Sequence, residues 1–213
     1  MRRNRHARAM NAGRIVAAVT ALVGWLGLAL QFALIVGQLG LALGAWRFLG
    51  YFTIISNIFV SAIATHVALG GKSGLAGPTP RLAGLTAIVT VGLVYSLLLR
   101  SMWNPRGLQK LADAALHDWT PLLYLLMWVL VPHGEINRRD IKWALLLPAF
   151  YLAYALGRGA IDGWYAYWFL NPASQTIGAL SLWILGMIAL FATIATIAIA
   201  VDKRIAAGAA KGD

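Results

Sequence analysis

Six long apolar runs separated by short polar linkers dominate this 213-residue chain, and nothing else in it constrains the fold as much. The runs cover Ile15 to Val36, Phe48 to Leu69, Leu82 to Leu99, Ala114 to Val131, Ile141 to Gly157 and Ile177 to Val201. A helix needs about 20 mainly apolar residues to cross a hydrocarbon core, where only intrahelical hydrogen bonds satisfy the backbone. The fifth run is short and requires extension or tilt. Charged residues make up only 12% of the chain, too few for the solvated surface of a soluble domain. The expected fold is therefore all-α: one domain over 1–213, an integral membrane bundle of six transmembrane helices. Gly70-Gly71, Pro78-Thr79-Pro80, Asn104-Pro105, Pro132-His133-Gly134 and Asn171-Pro172 supply the breaks between them.

Orientation follows from the basic residues. With a cytoplasmic N-terminus, Arg2, Arg3, Arg5, Arg8, Arg14, Lys72, Arg81, Arg138, Arg139, Lys142, Lys203, Arg204 and Lys211 fall inside. Arg47, Arg100, Arg106, Lys110 and Arg158 fall outside, which favours an N-in, C-in topology in a bacterial inner membrane. The net charge of +11 is spread over linkers and termini, so it suits orientation and anionic lipid, and nucleic-acid binding is not expected. The first run is too long for the apolar part of a signal peptide and reads as a retained helix. No repeat or matched pair of broken helices suggests a coupled transporter. Gly37, Gly40 and Gly44 have small-residue spacing suited to close helix approach.

The chain has no cysteine, which removes disulfides, thiolate metal sites and cysteine nucleophiles. Its chemistry has to come from polar side chains at membrane depth, which are costly there and face a bundle interior or a site. In the second run Thr53, Ser56, Asn57 and Ser61 share one helical face. In the fourth, Asp113, His117, Thr120, Pro121 and Tyr124 form a comparable stripe, with Asp118 about a quarter-turn away. Both faces start at the outer surface, where the third and fifth runs deliver Arg100, Trp103, Asn104, Arg158, Asp162, Trp164 and Tyr165. The candidate site therefore lies near the outer leaflet, among membrane lipids and open to sideways entry of a lipid-derived substrate.

A hydroxyl nucleophile needs a neutral imidazole within reach and a carboxylate to orient that imidazole. Thr53, His117 and either Asp113 or Asp118 meet this inventory. Asn57, Arg100 or Arg158 can supply charge stabilisation to an oxyanion. Ser56, Tyr124, Trp164, Tyr165 and Tyr167 are candidate pocket residues. His117 with one aspartate is an incomplete ligand set, since His66 and His133 belong to the other surface, so neither a metal nor any cofactor is expected. A structural alternative exists for each residue: threonine bonds its own i−4 carbonyl, asparagine glues helices, arginine reaches lipid phosphate, and the aromatics form an interfacial belt.

Three segments then carry a family resemblance. Tyr51-Phe52-Thr53-Ile54-Ile55-Ser56-Asn57, Leu116-His117-Asp118-Trp119-Thr120-Pro121 and Gly163-Trp164-Tyr165-Ala166-Tyr167-Trp168-Phe169-Leu170 stand in the same order as the landmarks of one family. From about Ala17 to Val201 the chain resembles the bacterial six-helix branch of the androgen-induced protein and androgen-dependent TFPI-regulating protein family. Eukaryotic members are membrane hydrolases that cleave fatty acid esters of hydroxy fatty acids with a threonine and a histidine. The resemblance implies an intramembrane lipid ester hydrolase, with the threonine at Thr53 and the histidine at His117. Trp168 stands where the family usually has proline. The competing expectation is a non-catalytic lipid-binding or small-solute transport protein.

Overall fold

The computed structural model describes residues 2–211, without the side chains of residues 2–10; those of Arg2, Arg3, Arg5 and Arg8 therefore lie outside the described residues. Every element is helical, and no strand occurs among the described residues. The helices are α1 (Arg2–Leu39), α2 (Leu41–Phe48), α3 (Phe52–Ala68), α4 (Pro78–Val94), α5 (Leu108–Ala114), α6 (Thr120–Leu130), α7 (Ile141–Asp162) and α8 (Ile177–Lys211). π-Helical turns cover Tyr95–Leu99 after α4 and Ala115–Trp119 between α5 and α6.

Four segments are long and apolar enough to cross a membrane alone: Asn11–Leu39, Pro78–Met102, Arg138–Asp162 and Ile177–Lys211. α2 and α3 together make a fifth candidate, bent by 77° at their junction. The difference from the six runs of the sequence lies in two of them. The second run is broken by the corner at Leu49-Gly50-Tyr51, and the fourth, preceded directly by Asp113, carries His117, Asp118 and Thr120 at the depth where apolar residues would be needed. The shortness of the fifth run disappears, because α7 continues to Asp162.

α4 is the central helix and packs on α3, α6, α7 and α8. Its small and β-branched residues suit that place: Ala83, Gly84, Thr86, Ala87, Ile88, Thr90 and Val91 are all buried. Thr86 and Thr90 donate to the carbonyls of Leu82 and Thr86 at 2.9 and 2.8 Å, which satisfies their hydroxyls within the helix. α1 packs across α3, α5 and α6.

Two glycines of α1 set that approach. A Cβ at Gly24 would run into the Ser61 hydroxyl, and one at Gly27 would lie 2.9 Å from the Ala115 Cβ and 3.1 Å from Leu116 Cδ2. Of the series expected to mediate packing, Gly44 seats α2 on Val36 of α1, whereas Gly37 and Gly40 face open space. Gly40 instead has φ 76° and permits the break between α1 and α2.

Candidate functional site

α3, α4, the α5–α6 segment and the loop after α7 meet at one end of the bundle. The α2–α3 corner is held there by α7, because Tyr151 donates to the Gly50 carbonyl at 2.9 Å and Tyr154 to the Leu49 carbonyl at 3.2 Å. This places Thr53 as the second residue of α3, where the helix has no intrahelical acceptors for its first amides.

The Thr53 hydroxyl departs from the i−4 bonding of five other threonines. Thr20, Thr65, Thr86, Thr90 and Thr196 all donate to their i−4 carbonyls. Thr53 Oγ1 instead lies 3.4 Å from His117 Nε2 and 3.4 Å from the Tyr167 hydroxyl, while its backbone N–H donates to that same hydroxyl at 3.3 Å. Thr53 is only 8% exposed.

The remaining hydrogen bonds determine a direction for the protons. His117 Nδ1 is 3.0 Å from the Asp113 carbonyl and 3.3 Å from its Oδ1. Both oxygens are acceptors, so Nδ1 of the neutral imidazole carries the hydrogen and Nε2 is left to accept from Thr53. Tyr95 donates to Asp113 Oδ2 at 2.5 Å. Tyr167 O–H then points to Thr53 Oγ1, Thr53 O–H to His117 Nε2, and His117 Nδ1–H to Asp113.

Proline chemistry explains part of this placement. Pro121 has no N–H, so the π-turn before it leaves a carbonyl without a helical donor. The Leu116 carbonyl accepts from Asn57 Nδ2 at 3.2 Å, and the same amide donates to the Thr53 carbonyl at 2.8 Å. Asn57 therefore bridges the backbone beside His117 to the backbone of Thr53. It does not reach an oxyanion position with its donors, which are both spent.

The two aspartates have different surroundings. Asp113 is buried under Tyr95 and His117, whereas Asp118 is paired with Arg100 on the exposed side. Arg100 lies 4.8 Å from the centre of the Tyr95 ring, so this ion pair covers Tyr95 and neither member touches Thr53. Arg158 belongs to a second cluster: it donates to the Trp46 carbonyl and stacks 3.9 Å over the Trp46 ring, and Asp162 accepts from Trp46 Nε1 at 2.7 Å and Arg47 at 3.3 Å. That cluster ties α2 to the end of α7, so neither Arg100 nor Arg158 stands where an oxyanion on Thr53 would form.

An apolar cavity of about 370 Å³ opens beside Thr53. Its lining includes Thr53, Tyr95 and Tyr167 at one end, then Phe52, Val91, Leu152, Phe169, Met187 and Phe191. Exposed Ala149 of α7 and Ile188 of α8 also border it, so it reaches the outer surface of the bundle there.

Of the pocket residues expected from sequence, Tyr167 lines this cavity. Ser56 is fully buried behind Thr53, and its hydroxyl has no partner among the described residues. Trp164 packs edge-on against Tyr51 with centroids 5.4 Å apart, and Tyr165 packs against Gly159. Tyr124 donates to the Arg81 carbonyl at 3.3 Å in the other half of the bundle. None of these four lines the cavity. Tyr95 is not among the residues expected from sequence; its one signal is a phenol in a run whose other polar residues, Thr86, Thr90 and Ser96, carry small hydroxyls.

Among the described residues no group of three or more His, Asp or Glu side chains is placed to hold a metal. No protein-family model matches the sequence, and neither a curated protein nor a solved structure is significantly similar to it.

Proposed function

We propose that this chain is an intramembrane lipid ester hydrolase in which Thr53 is the nucleophile and His117 the general base. The observation that carries this reading is the chain of polar contacts from Thr53 through His117 to Asp113 beside an apolar cavity. The resemblance to the androgen-induced protein family supports the ester class and points to fatty acid esters, including those of hydroxy fatty acids. An acyl chain fits the cavity between α4, α7 and α8, with its carbonyl beside Thr53.

As Oγ1 bonds to the ester carbon, the Thr53 proton passes to His117 Nε2 and the carbonyl becomes an oxyanion. Tyr167 O–H, 3.4 Å from Oγ1, is the nearest donor to that charge, and the positive end of the α3 dipole lies on the same side. Collapse breaks the bond to the leaving alcohol, which takes the proton from His117. Water then attacks the acyl-threonine with His117 again as base, releasing the fatty acid and restoring Thr53.

The reading includes six spans with both termini cytoplasmic, α5 and α6 forming one of them, in a bacterial inner membrane with Thr53 near the outer leaflet. The cysteine-free sequence allows a direct check. A single cysteine from Lys110→Cys should label with an impermeant maleimide in intact cells, and one from Lys203→Cys only after lysis. The reverse pattern removes this orientation.

The decisive experiment incubates purified protein with a panel of lipid esters and measures released acids by mass spectrometry. Wild type should release acid, Thr53→Ser should retain part of the activity, and Thr53→Ala and His117→Ala should lose it while remaining folded. The apolar cavity lining also suits a non-catalytic lipid carrier. No release by a folded wild type, with the lipid bound equally by Thr53→Ala, selects that second reading.

A further inference from the structure

A second cavity, of about 230 Å³, lies at the end of the bundle opposite Thr53. Its wall brings together Arg14 of α1, Lys72 of the α3–α4 loop, Arg81 of α4 and Glu135 after α6. Three cations against one carboxylate leave the wall positive.

Arg81 makes this more than a basic surface. The residue is only 7% exposed, yet among the described residues its side chain makes one hydrogen bond, from Nη2 to the Pro132 carbonyl at 3.1 Å. Its Nε–H is buried with no acceptor, and no carboxylate lies within 4.0 Å of the guanidinium among the described residues. A guanidinium has five N–H donors, and burying it without an anion or enough acceptors is costly. Planar N–H pairs also match phosphate oxygens. Arg14 is fixed at the rim by a bond from Nε to the Ala68 carbonyl at 3.2 Å, and its terminal nitrogens face Gly70 with no hydrogen-bond acceptor among the described residues. Gly70 lies beside the Arg14 guanidinium and has φ 87°, a backbone conformation that suits glycine.

We infer that this cavity binds a phosphate-bearing anion, with Arg81 as the buried contact and Arg14 and Lys72 at its rim. The phosphate comes either from the headgroup of an anionic phospholipid or from a soluble phosphate. The site shares no residue with the Thr53 cavity and does not depend on ester hydrolysis.

The test uses the delipidated full chain in detergent and measures retention of phosphatidylglycerol and phosphatidylcholine by native mass spectrometry, with and without inorganic phosphate. Arg14→Gln and Lys72→Gln are exposed changes that leave the helices intact, and each should weaken phosphatidylglycerol binding about fivefold, the double variant about twentyfold. Arg81→Gln should abolish the site, and the rim variants remain informative if it does not fold. Displacement of phosphatidylglycerol by inorganic phosphate would identify phosphate alone as sufficient. Retention of phosphatidylglycerol against inorganic phosphate, with preference over phosphatidylcholine, would identify the lipid headgroup. Equal phosphatidylglycerol retention by wild type and the double variant, or no preference over phosphatidylcholine and no effect of phosphate, would overturn the inference.

Discussion

The Tyr95 ring stacks on the His117 imidazole with centroids 3.8 Å apart and planes inclined by 18°. The same tyrosine donates to the carboxylate whose Oδ1 lies 3.3 Å from His117 Nδ1, while the hydrogen bond of that nitrogen goes to the Asp113 carbonyl at 3.0 Å. One side chain thus fixes both the plane of the imidazole and the carboxylate that orients it. Both rings sit on π-turns, whose extra residue advances the side-chain phase beyond that of a regular α-helix.

The two aspartates should separate in function. Asp113→Asn removes the charge 3.3 Å from His117 Nδ1 but keeps the bond to the carbonyl of the same residue, and should lower kcat by about 10²-fold, the low end of the range for a disabled base. Asp118→Asn breaks only a half-exposed pair with Arg100 and should change kcat by less than about threefold. Steady-state kinetics on any cleaved ester checks both; equal losses would mean that Asp113 has no special role.

Tyr167→Phe removes the hydroxyl that bonds the Thr53 amide and oxygen while keeping the ring and its stack on Phe169. Loss of an oxyanion donor predicts a fall in kcat of about 10²- to 10³-fold with KM nearly unchanged. A change confined to KM would instead make Tyr167 a wall of the cavity.

Gly27 controls how closely the turn carrying His117 approaches α1. Gly27→Val introduces overpacking against Ala115 and Leu116 and should cost about 1–3 kcal/mol of stability. Thermal unfolding in detergent reads this directly. The change should also lower turnover by moving His117 away from Thr53, and a variant with unaltered melting and activity would show that this approach is slack.

Cavity volume should set acyl length. Met187 and Ile188 border the cavity from α8, so Met187→Trp shortens the available space. The variant should shift preference toward shorter acyl chains and leave the shortest esters unaffected, measured as kcat/KM across a chain-length series. Uniform loss at every length would mean that the acyl chain lies elsewhere.

Much of this protein was legible in the sequence because lipid imposes a one-dimensional rule. Backbone groups must be satisfied within the helix, so apolar length alone announces α1, α4, α7 and α8. Helical periodicity put Thr53, Ser56, Asn57 and Ser61 on one buried face, and the inventory of a hydroxyl, an imidazole and a carboxylate made Thr53, His117 and the aspartates candidates.

What the tertiary structure decided is which of these residues meet. Periodicity places a residue on a stripe but not along or around its neighbours: Tyr124 shares the stripe of His117, yet seven residues at about 1.5 Å each carry it about 10 Å away. It bonds the backbone of Arg81 instead. The choice of Asp113 over Asp118 and the recruitment of Tyr95 depend on two π-turns and on Pro121. The 3.4 Å reach from Thr53 to His117 depends on the close approaches at Gly24 and Gly27 and on the Asn57 bridge. Helix rotation and separation are set by packing between segments far apart in the chain, and no local pattern encodes them.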